Sequence, residues 1–131
     1  MDRVFLDANV LFSAAYREGA GLLRLWELSK IELTTSAYAA EEARRNLESE
    51  SARARLAALL ARVRIVPETA KITLPGGVAI AEKDEPIIRS AIAAGATHLL
   101  TGDLRDFGRF FGKRIGGVLI QTPADYLRRA K

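Results

Sequence analysis

The chain has no cysteine and only one histidine among its 131 residues. Without thiols it can form no disulfide and no zinc–thiolate site, and a reducing cytoplasm is the compartment that such a sequence favours. No apolar run approaches the roughly 20 residues of a transmembrane helix. The chain also opens on Met1, Asp2 and Arg3 without the layout of a signal peptide. We therefore expect a cytoplasmic protein with no membrane partner.

The composition is typical of one compact domain, which we expect to span residues 1–131. Hydrophobic residues make up 49% of the chain and charged residues of mixed sign 27%, so disorder is not expected. The net charge is +4, and most of the basic residues are arginines, whose planar fork suits phosphate. A GC-rich genome would produce the same arginine bias. The arginines of residues 52–62 lie off the apolar stripe of that segment, as on a solvated helix face.

Short apolar runs alternate with helical patterns along the chain. Because strands separated by helices form parallel sheets with right-handed crossovers, the alternation predicts an α/β protein with helices on both faces of a central parallel sheet. Ser36, Gly95 and Thr122 stand where helix caps are expected. The predicted strands are residues 4–6, 33–35, 63–66, 98–100 and 118–120.

Carboxylates follow two of these predicted strands. Asp7 comes directly after the first strand, and Asp103 follows the strand at residues 98–100 after one turn. Since ligand sites of open α/β sheets lie outside the carboxyl ends of the strands, a parallel pairing would bring both acids to one edge. Glu41 and Glu42, two turns into the third helical segment, and Asp84 at the start of a later helix could face the same cleft.

Several carboxylates in one cleft predict a metal ion. Like charges in a shared site raise one another's pKa, and a divalent cation relieves that repulsion. With oxygen ligands, no cysteine and one histidine, the hard cations Mg²⁺ and Mn²⁺ fit better than zinc or copper. Such an ion lowers the pKa of a water and stabilises the attacking and leaving oxygens at a phosphodiester. The expected chemistry is hydrolysis without a covalent intermediate.

Four segments resemble the motifs of PIN domains, in the family's order and spacing. Residues 5–11 are similar to the opening motif with its aspartate, and residues 36–47 are similar to the capped helix with its glutamate. Residues 83–91 and 94–103 resemble the helix, strand and acidic turn that follow. The likeness runs from Val4 to about Tyr126 and is least diagnostic over residues 52–80.

The resemblance implies a three-layer α/β/α sandwich, dependence on Mg²⁺ or Mn²⁺, and endoribonuclease activity on single-stranded RNA. It places Asp7, Glu42, Asp84 and Asp103 in the catalytic and metal-ligand positions, with Asp106 as a fifth metal ligand. Many small bacterial members are VapC-type toxins that an antitoxin holds inactive and that commonly dimerise. An antitoxin partner and a homodimer are therefore expected, although membership of a toxin pair depends on the neighbouring gene.

Each acidic residue also has a purely structural interpretation. Asp7, Asp84 and Asp103 could cap or begin helices, and only one member of the Glu41–Glu42 pair can face a cleft, because successive helix residues point about 100° apart.

Residues around the acids have alternatives of the same kind. Asn9 and Thr101 could orient ligands or serve local turns. His98 and Trp26 are expected to pack. Phe107, Phe110 and Phe111 follow the acidic turn and could stack on bases near the cleft, but burial is the first expectation for them. For phosphate contact, the candidates are Arg44, Arg45, Arg105 and Arg109.

Two other functions compete with metal-dependent RNA hydrolysis. One is a catalytically silent PIN-like module that binds RNA or a protein partner, which the complete set of acids disfavours. The other is a phosphatase-like enzyme with Asp7 as a covalent nucleophile. It ranks last, because the Asp-x-Asp pair of such enzymes is Asp7-Ala8-Asn9 here.

Overall fold

The computed structural model describes residues 1–67, 74 and 84–129. Its strands are β1 (Asp2–Leu6), β2 (Ile31–Ser36), β3 (Arg64–Val66), β4 (His98–Leu100), β5 (Arg114–Ile115) and β6 (Val118–Gln121). Its α-helices are α1 (Ala8–Ala15), α2 (Arg24–Glu27), α3 (Ala37–Asn46), α4 (Glu50–Leu60), α5 (Glu85–Ala93), α6 (Leu104–Phe107) and α7 (Pro123–Arg129). No helix in these ranges has the length and apolarity that crossing a bilayer requires.

The strands form one six-stranded sheet in the order β3-β2-β1-β4-β6-β5. All neighbouring strands are parallel except the edge pair β5 and β6, which is antiparallel. Helices flank the sheet, so the predicted α/β/α sandwich is confirmed. The order reverses between β1 and β4, which is where a doubly wound sheet opens a crevice for a ligand.

The middle of the sheet is the centre of the core. Val4, Phe5 and Leu6 of β1 are completely buried, as are Leu99 and Leu100 of β4. Consecutive residues of a strand point to opposite faces, so burial of all of them requires cover on both sides of the sheet. The buried, paired strands fix the positions of the residues that follow β1 and β4.

The predicted helix ends are confirmed by their hydrogen bonds. The Ser36 hydroxyl accepts from the Ala39 backbone N–H (3.0 Å) and caps α3, and Thr122 accepts from Asp125 (3.1 Å) at the start of α7. Gly95 ends α5 with a φ of +70°, a left-handed conformation that side chains other than glycine adopt at a cost.

The arginines of the α4 region do not form a simple solvated face. Arg53 donates from Nε to the Leu47 carbonyl (2.7 Å), and Arg55 donates from Nε to the Ala15 carbonyl (2.9 Å). Arg62 donates to the Trp26 carbonyl (2.9 Å). Each guanidinium reaches the carbonyl end of a different helix, where partial negative charge favours a cation. Through these bonds α4 is tied to α3, α1 and α2.

Candidate active site

The acidic residues meet at the sheet's switch point, where β1 and β4 lie side by side. The backbone N–H of Asp7 donates to the Leu100 carbonyl (3.1 Å), so the end of β1 is fixed to the end of β4. A cleft of about 400 Å³ opens there, and its lining includes Asp7, Glu42, Asp84 and Asp103. The four carboxylates that sequence analysis selected thus line one cleft, although they come from positions up to 96 residues apart.

Asp7 is almost fully buried at the floor of the cleft, with 3% of its surface exposed. Its Oδ1 accepts from the Ala8 backbone N–H (2.7 Å), which caps α1. Its Oδ2 accepts from the Thr101 hydroxyl (2.7 Å) and from the Asn9 side-chain amide (3.1 Å). The capping interpretation of Asp7 is therefore correct, but it uses only one of the two carboxylate oxygens, and the other accepts from Asn9 of α1 and from Thr101 directly after β4.

Glu42, not Glu41, faces the cleft. Glu42 is half-buried in the cleft lining, whereas Glu41 is exposed and binds Arg44 on another side of α3, with Arg44 Nε donating to its Oε2 (2.9 Å). The hydrogen bond and charge of Arg44 hold the pKa of Glu41 below its usual range. The roughly 100° between successive helix residues thus separates a surface ion pair from a cleft acid.

Asp84 lies at the N-terminus of α5 and is buried. Its side chain makes no cap hydrogen bond to the helix, so helix capping does not account for its placement in the cleft. Glu85, the next residue, instead pairs with Arg89 one turn later (3.1 Å).

Asp103 and Asp106 complete a tight group with Asp84. Each of the three offers a carboxylate oxygen, and these oxygens lie within 4.8 Å of one another. Asp103 also caps α6, because its Oδ1 accepts from the Asp106 backbone N–H (3.0 Å). Asp84 and Asp103 therefore belong both to the cleft lining and to this group of three. Asp106 belongs only to the group, whereas Asp7 and Glu42 belong only to the cleft lining.

The sequence profile of the PIN domain matches residues 3–105. The chain belongs to the PIN-domain family. The match contains the four cleft carboxylates and ends just before Asp106. No curated protein sequence is significantly similar to the chain.

Solved structures with the same fold include VapC-type proteins. A chain in the structure of VapBC2 from Rickettsia felis, bound to a promoter DNA fragment, superposes with a TM-score of 0.63 at 19% identity, over 92% of this chain and 98% of that one. A chain of VapBC-1 from nontypeable Haemophilus influenzae superposes with a TM-score of 0.61 at 16% identity, over 93% of this chain and 98% of that one. The sarcin–ricin-loop-cleaving toxin VapC20 of Mycobacterium tuberculosis superposes with a TM-score of 0.51 at 20% identity, over 76% of this chain and 91% of that one. At these identities the likeness shows the fold alone.

The donor set of this PIN domain fits a hard divalent cation. The cleft offers carboxylate oxygens from two strand ends and two helices, and among the described residues its lining contains no sulfur and no imidazole. Burial raises the pKa of Asp7, and the charges of Glu42 and Asp103 raise it further, against the lowering effect of the Thr101 and Ala8 hydrogen bonds. A cation in the cleft would favour the ionised form, so the arrangement is one that Mg²⁺ or Mn²⁺ would stabilise.

The raised pKa of Asp7 predicts a pH-dependent stability in the absence of metal. Because the folded protein holds this proton more tightly than the unfolded chain, the contribution of Asp7 is complete in acid and is lost as the pH rises through its folded-state pKa. With chelator present, the free energy of unfolding of the wild type should therefore fall relative to that of Asp7→Asn as the pH rises above about 4, the ordinary pKa of an aspartate. Urea denaturation across this range measures the difference; a constant offset at every pH would contradict it.

Thr101 and Asn9 connect the two strand ends around Asp7. The Thr101 hydroxyl donates to Asp7 and accepts from the Asn9 amide (3.1 Å) and the Asp103 backbone N–H (3.1 Å). Asn9 Oδ1 in turn accepts from the Gly102 backbone N–H (2.8 Å). Both residues are thus hydrogen-bonded to a cleft carboxylate and to the turn after β4, so the turn interpretation is correct and the same bonds also fix the side chain of Asp7.

Asn46 and Phe12 also line the cleft, although no sequence motif indicates a role for them. Asn46, the last residue of α3, lies one turn after Glu42 on the same helix face, and Phe12 lies one turn after Ala8 on α1. The i, i+4 spacing from Glu42 was the available signal for Asn46.

The remaining candidates fall outside the cleft lining. Arg44 is bound to Glu41, Arg45 and Arg105 are exposed, and Arg109 lies over the Phe110 ring (4.9 Å). As expected, the aromatics mainly pack: Phe107 is fully buried, Trp26 lies in the core, and the ring of His98 contacts Tyr126 edge to face. Lys83, the first residue of the third motif, lies outside the described residues.

Proposed function

We propose that this PIN domain is a metal-dependent endoribonuclease that hydrolyses single-stranded RNA. The observation that carries the proposal is the convergence of Asp7, Glu42, Asp84 and Asp103 on one cleft at the sheet's switch point, in a chain of the PIN-domain family. A cluster of carboxylates would repel the phosphates of RNA, so a cation is needed to reconcile this cleft with such a substrate.

The residues that would hold Mg²⁺ or Mn²⁺ are these four, with Asp106 reaching the same ion or a second one through the group it forms with Asp84 and Asp103. When bound, a divalent cation supplies charge neutralisation at the phosphate and lowers the pKa of a water. The carboxylate of Asp7 is held by hydrogen bonds from Thr101, Asn9 and the Ala8 N–H, so it would bind the cation without a change of side-chain conformation.

Glu42 differs from Asp7 in its setting. It is half-buried, it lies on α3 and not directly after a strand, and its longer side chain lines the same cleft. This placement suits a carboxylate that accepts a proton from the attacking water or completes the cation's ligands.

The toxin class belongs to the same proposal. VapBC2 and VapBC-1 chains share the fold over almost the whole of this chain, and VapC20 is a toxin that cleaves the sarcin–ricin loop. We propose accordingly that this chain is the toxin of a toxin–antitoxin pair, with an antitoxin protein and a second copy of itself as partners.

A cleavage assay tests the activity. The purified protein with Mn²⁺ should cut an end-labelled single-stranded RNA at internal positions, should lose this activity in chelator and regain it when Mn²⁺ is restored. The same RNA annealed to its complement should be cut more slowly. Binding of RNA without cleavage under any divalent cation would contradict the proposal and favour the catalytically silent module.

A further inference from the structure

A row of residues leads along α1 from the acidic cleft to the surface. Ala8 and Phe12 line the cleft, and Tyr16 lies one further turn along the same face. With a rise of 1.5 Å per residue, Phe12 lies about 7.5 Å and Tyr16 about 13.5 Å from Asp7 along the helix axis. These distances correspond to a few nucleotides of a strand whose successive stacked bases are about 3.4 Å apart.

Phe12 and Tyr16 form a stacked aromatic pair. Their ring centroids are 5.3 Å apart and their planes differ by 30°. Phe12 is partly buried against the core, but Tyr16 is 62% exposed. Most tyrosines of a folded domain cover more of their ring than this, and burial would be the natural outcome for an aromatic residue without a ligand. Phe12 therefore packs against one side of the Tyr16 ring, and much of the Tyr16 side chain is open to solvent.

The surface around Tyr16 is continuous with the acidic cleft. Phe12 and Asn46 line the cleft and also a neighbouring hollow that extends to Tyr16 and the start of α4. A third hollow shares Phe12 and Tyr16 and continues over Arg17 and Arg24. A groove thus runs from the four carboxylates, past the Asn46 amide, to an exposed aromatic ring beside two exposed arginines.

The order of chemical groups along this groove matches single-stranded RNA. A cation-binding cleft suits the phosphate that is cut, an aromatic face suits an unpaired base, and guanidinium groups suit the next phosphates. Paired bases could not reach Tyr16, because stacking on a side chain requires a base that is splayed out of a helix.

We propose that Tyr16, supported by Phe12, is a stacking platform for one base of single-stranded RNA within about four nucleotides of the cleavage site. The proposal rests on the proposed function, because the groove's direction is defined by the cleft. The aromatic residues near Asp103 do not offer a comparable stacking surface, because Phe107 is buried and Phe110 and Phe111 are packed against the core.

The test compares the wild-type Tyr16, Tyr16→Phe and Tyr16→Leu for binding of a fluorescent single-stranded RNA with Mn²⁺ present, all three in a Glu42→Gln background in which cleavage is slow. Tyr16→Phe keeps the ring and should bind within about twofold of wild type. Tyr16→Leu keeps an apolar side chain but loses the ring, and its dissociation constant should rise by about 5- to 100-fold, the range for one stacked base. Circular dichroism melting checks that both variants fold, and the exposure of Tyr16 makes this the expected result.

A second readout locates the base. 2-Aminopurine placed one to four nucleotides from the cut should be quenched by wild type and by Tyr16→Phe at one of these positions, and by Tyr16→Leu at none. Equal binding and quenching by Tyr16→Leu would overturn the stacking platform and make a protein partner the candidate occupant of the groove. If cleavage persists in that case, only this inference fails; if wild type neither binds nor cuts RNA, the proposed function fails as well.

Discussion

Replacement of Asp7 by asparagine is expected to lower the rate of RNA cleavage by roughly 10³-fold or more, which corresponds to about 4 kcal/mol of lost transition-state stabilisation. Asparagine keeps the acceptor that caps α1 at the Ala8 N–H, but it removes the charge from the floor of the cleft. A neutral amide can neither balance a divalent cation nor compensate for the loss of the second carboxylate oxygen.

The control for this variant is its fold. Asp7 is buried, and the new amide would face the Asn9 amide, so the melting temperature and circular dichroism of Asp7→Asn must be measured beside its activity. A folded Asp7→Asn protein that cleaves RNA at the wild-type rate would contradict the assignment of Asp7. Loss of activity with a retained fold and weakened Mn²⁺ binding would support it.

The second large effect separates two adjacent residues. Glu42→Gln should lower cleavage by about 10²-fold or more, because it removes a cleft carboxylate while the side-chain volume stays the same. Glu41→Gln should leave cleavage within about twofold, because its carboxylate is exposed and bound to Arg44 away from the cleft.

This pair is a matched comparison, since both substitutions remove one negative charge from α3 at neighbouring positions. Single-turnover cleavage of the same RNA by the two variants measures the difference. If Glu41→Gln were the more damaging of the two, or if both had equal effects, the orientation of α3 toward the cleft would be wrong.

The convergence of Asp7 and Asp103 could be predicted because it depends on topology alone. Fully apolar runs before each acid indicate buried strands, and parallel strands present their carboxyl ends at one edge. The pairing of Leu6 with Leu100 in the sheet realises this expectation. The caps at Ser36 and Thr122 were predictable for a similar reason, since capping depends on a few adjacent residues.

The shortest strand and the end of helix α2 depend on tertiary contacts, which no local sequence pattern indicates. Strand β5 pairs in the antiparallel direction with β6. It has only two residues, which is too short for any sequence periodicity to indicate a strand. The segment around Trp26 has helical spacing for a longer helix, yet α2 ends at Glu27 and Lys30 has a positive φ of 62° before β2 begins. Tertiary packing overrides helix propensity there.

The surface roles of charged and aromatic residues were the least predictable. The i, i+3 spacing of Glu41 and Arg44 permits their ion pair, but the rotation of α3 in the fold decides that this pair lies outside the cleft lining. Likewise, the exposure of Tyr16 and the burial of Phe107 follow from how α1 and α6 meet the core, because both residues are equally compatible with a buried helix face.

The most direct test of the acidic cleft as a metal-dependent ribonuclease centre measures metal binding and RNA cleavage on one preparation. Mn²⁺ is titrated into chelator-treated wild-type protein, with calorimetry for occupancy and the single-stranded RNA assay for rate. The cleavage rate should rise from zero with the same half-saturating concentration as Mn²⁺ binding, and both should be lost in Asp7→Asn. Cleavage that persists in chelator, or Mn²⁺ binding that Asp7→Asn leaves unchanged, would contradict this account of the cleft.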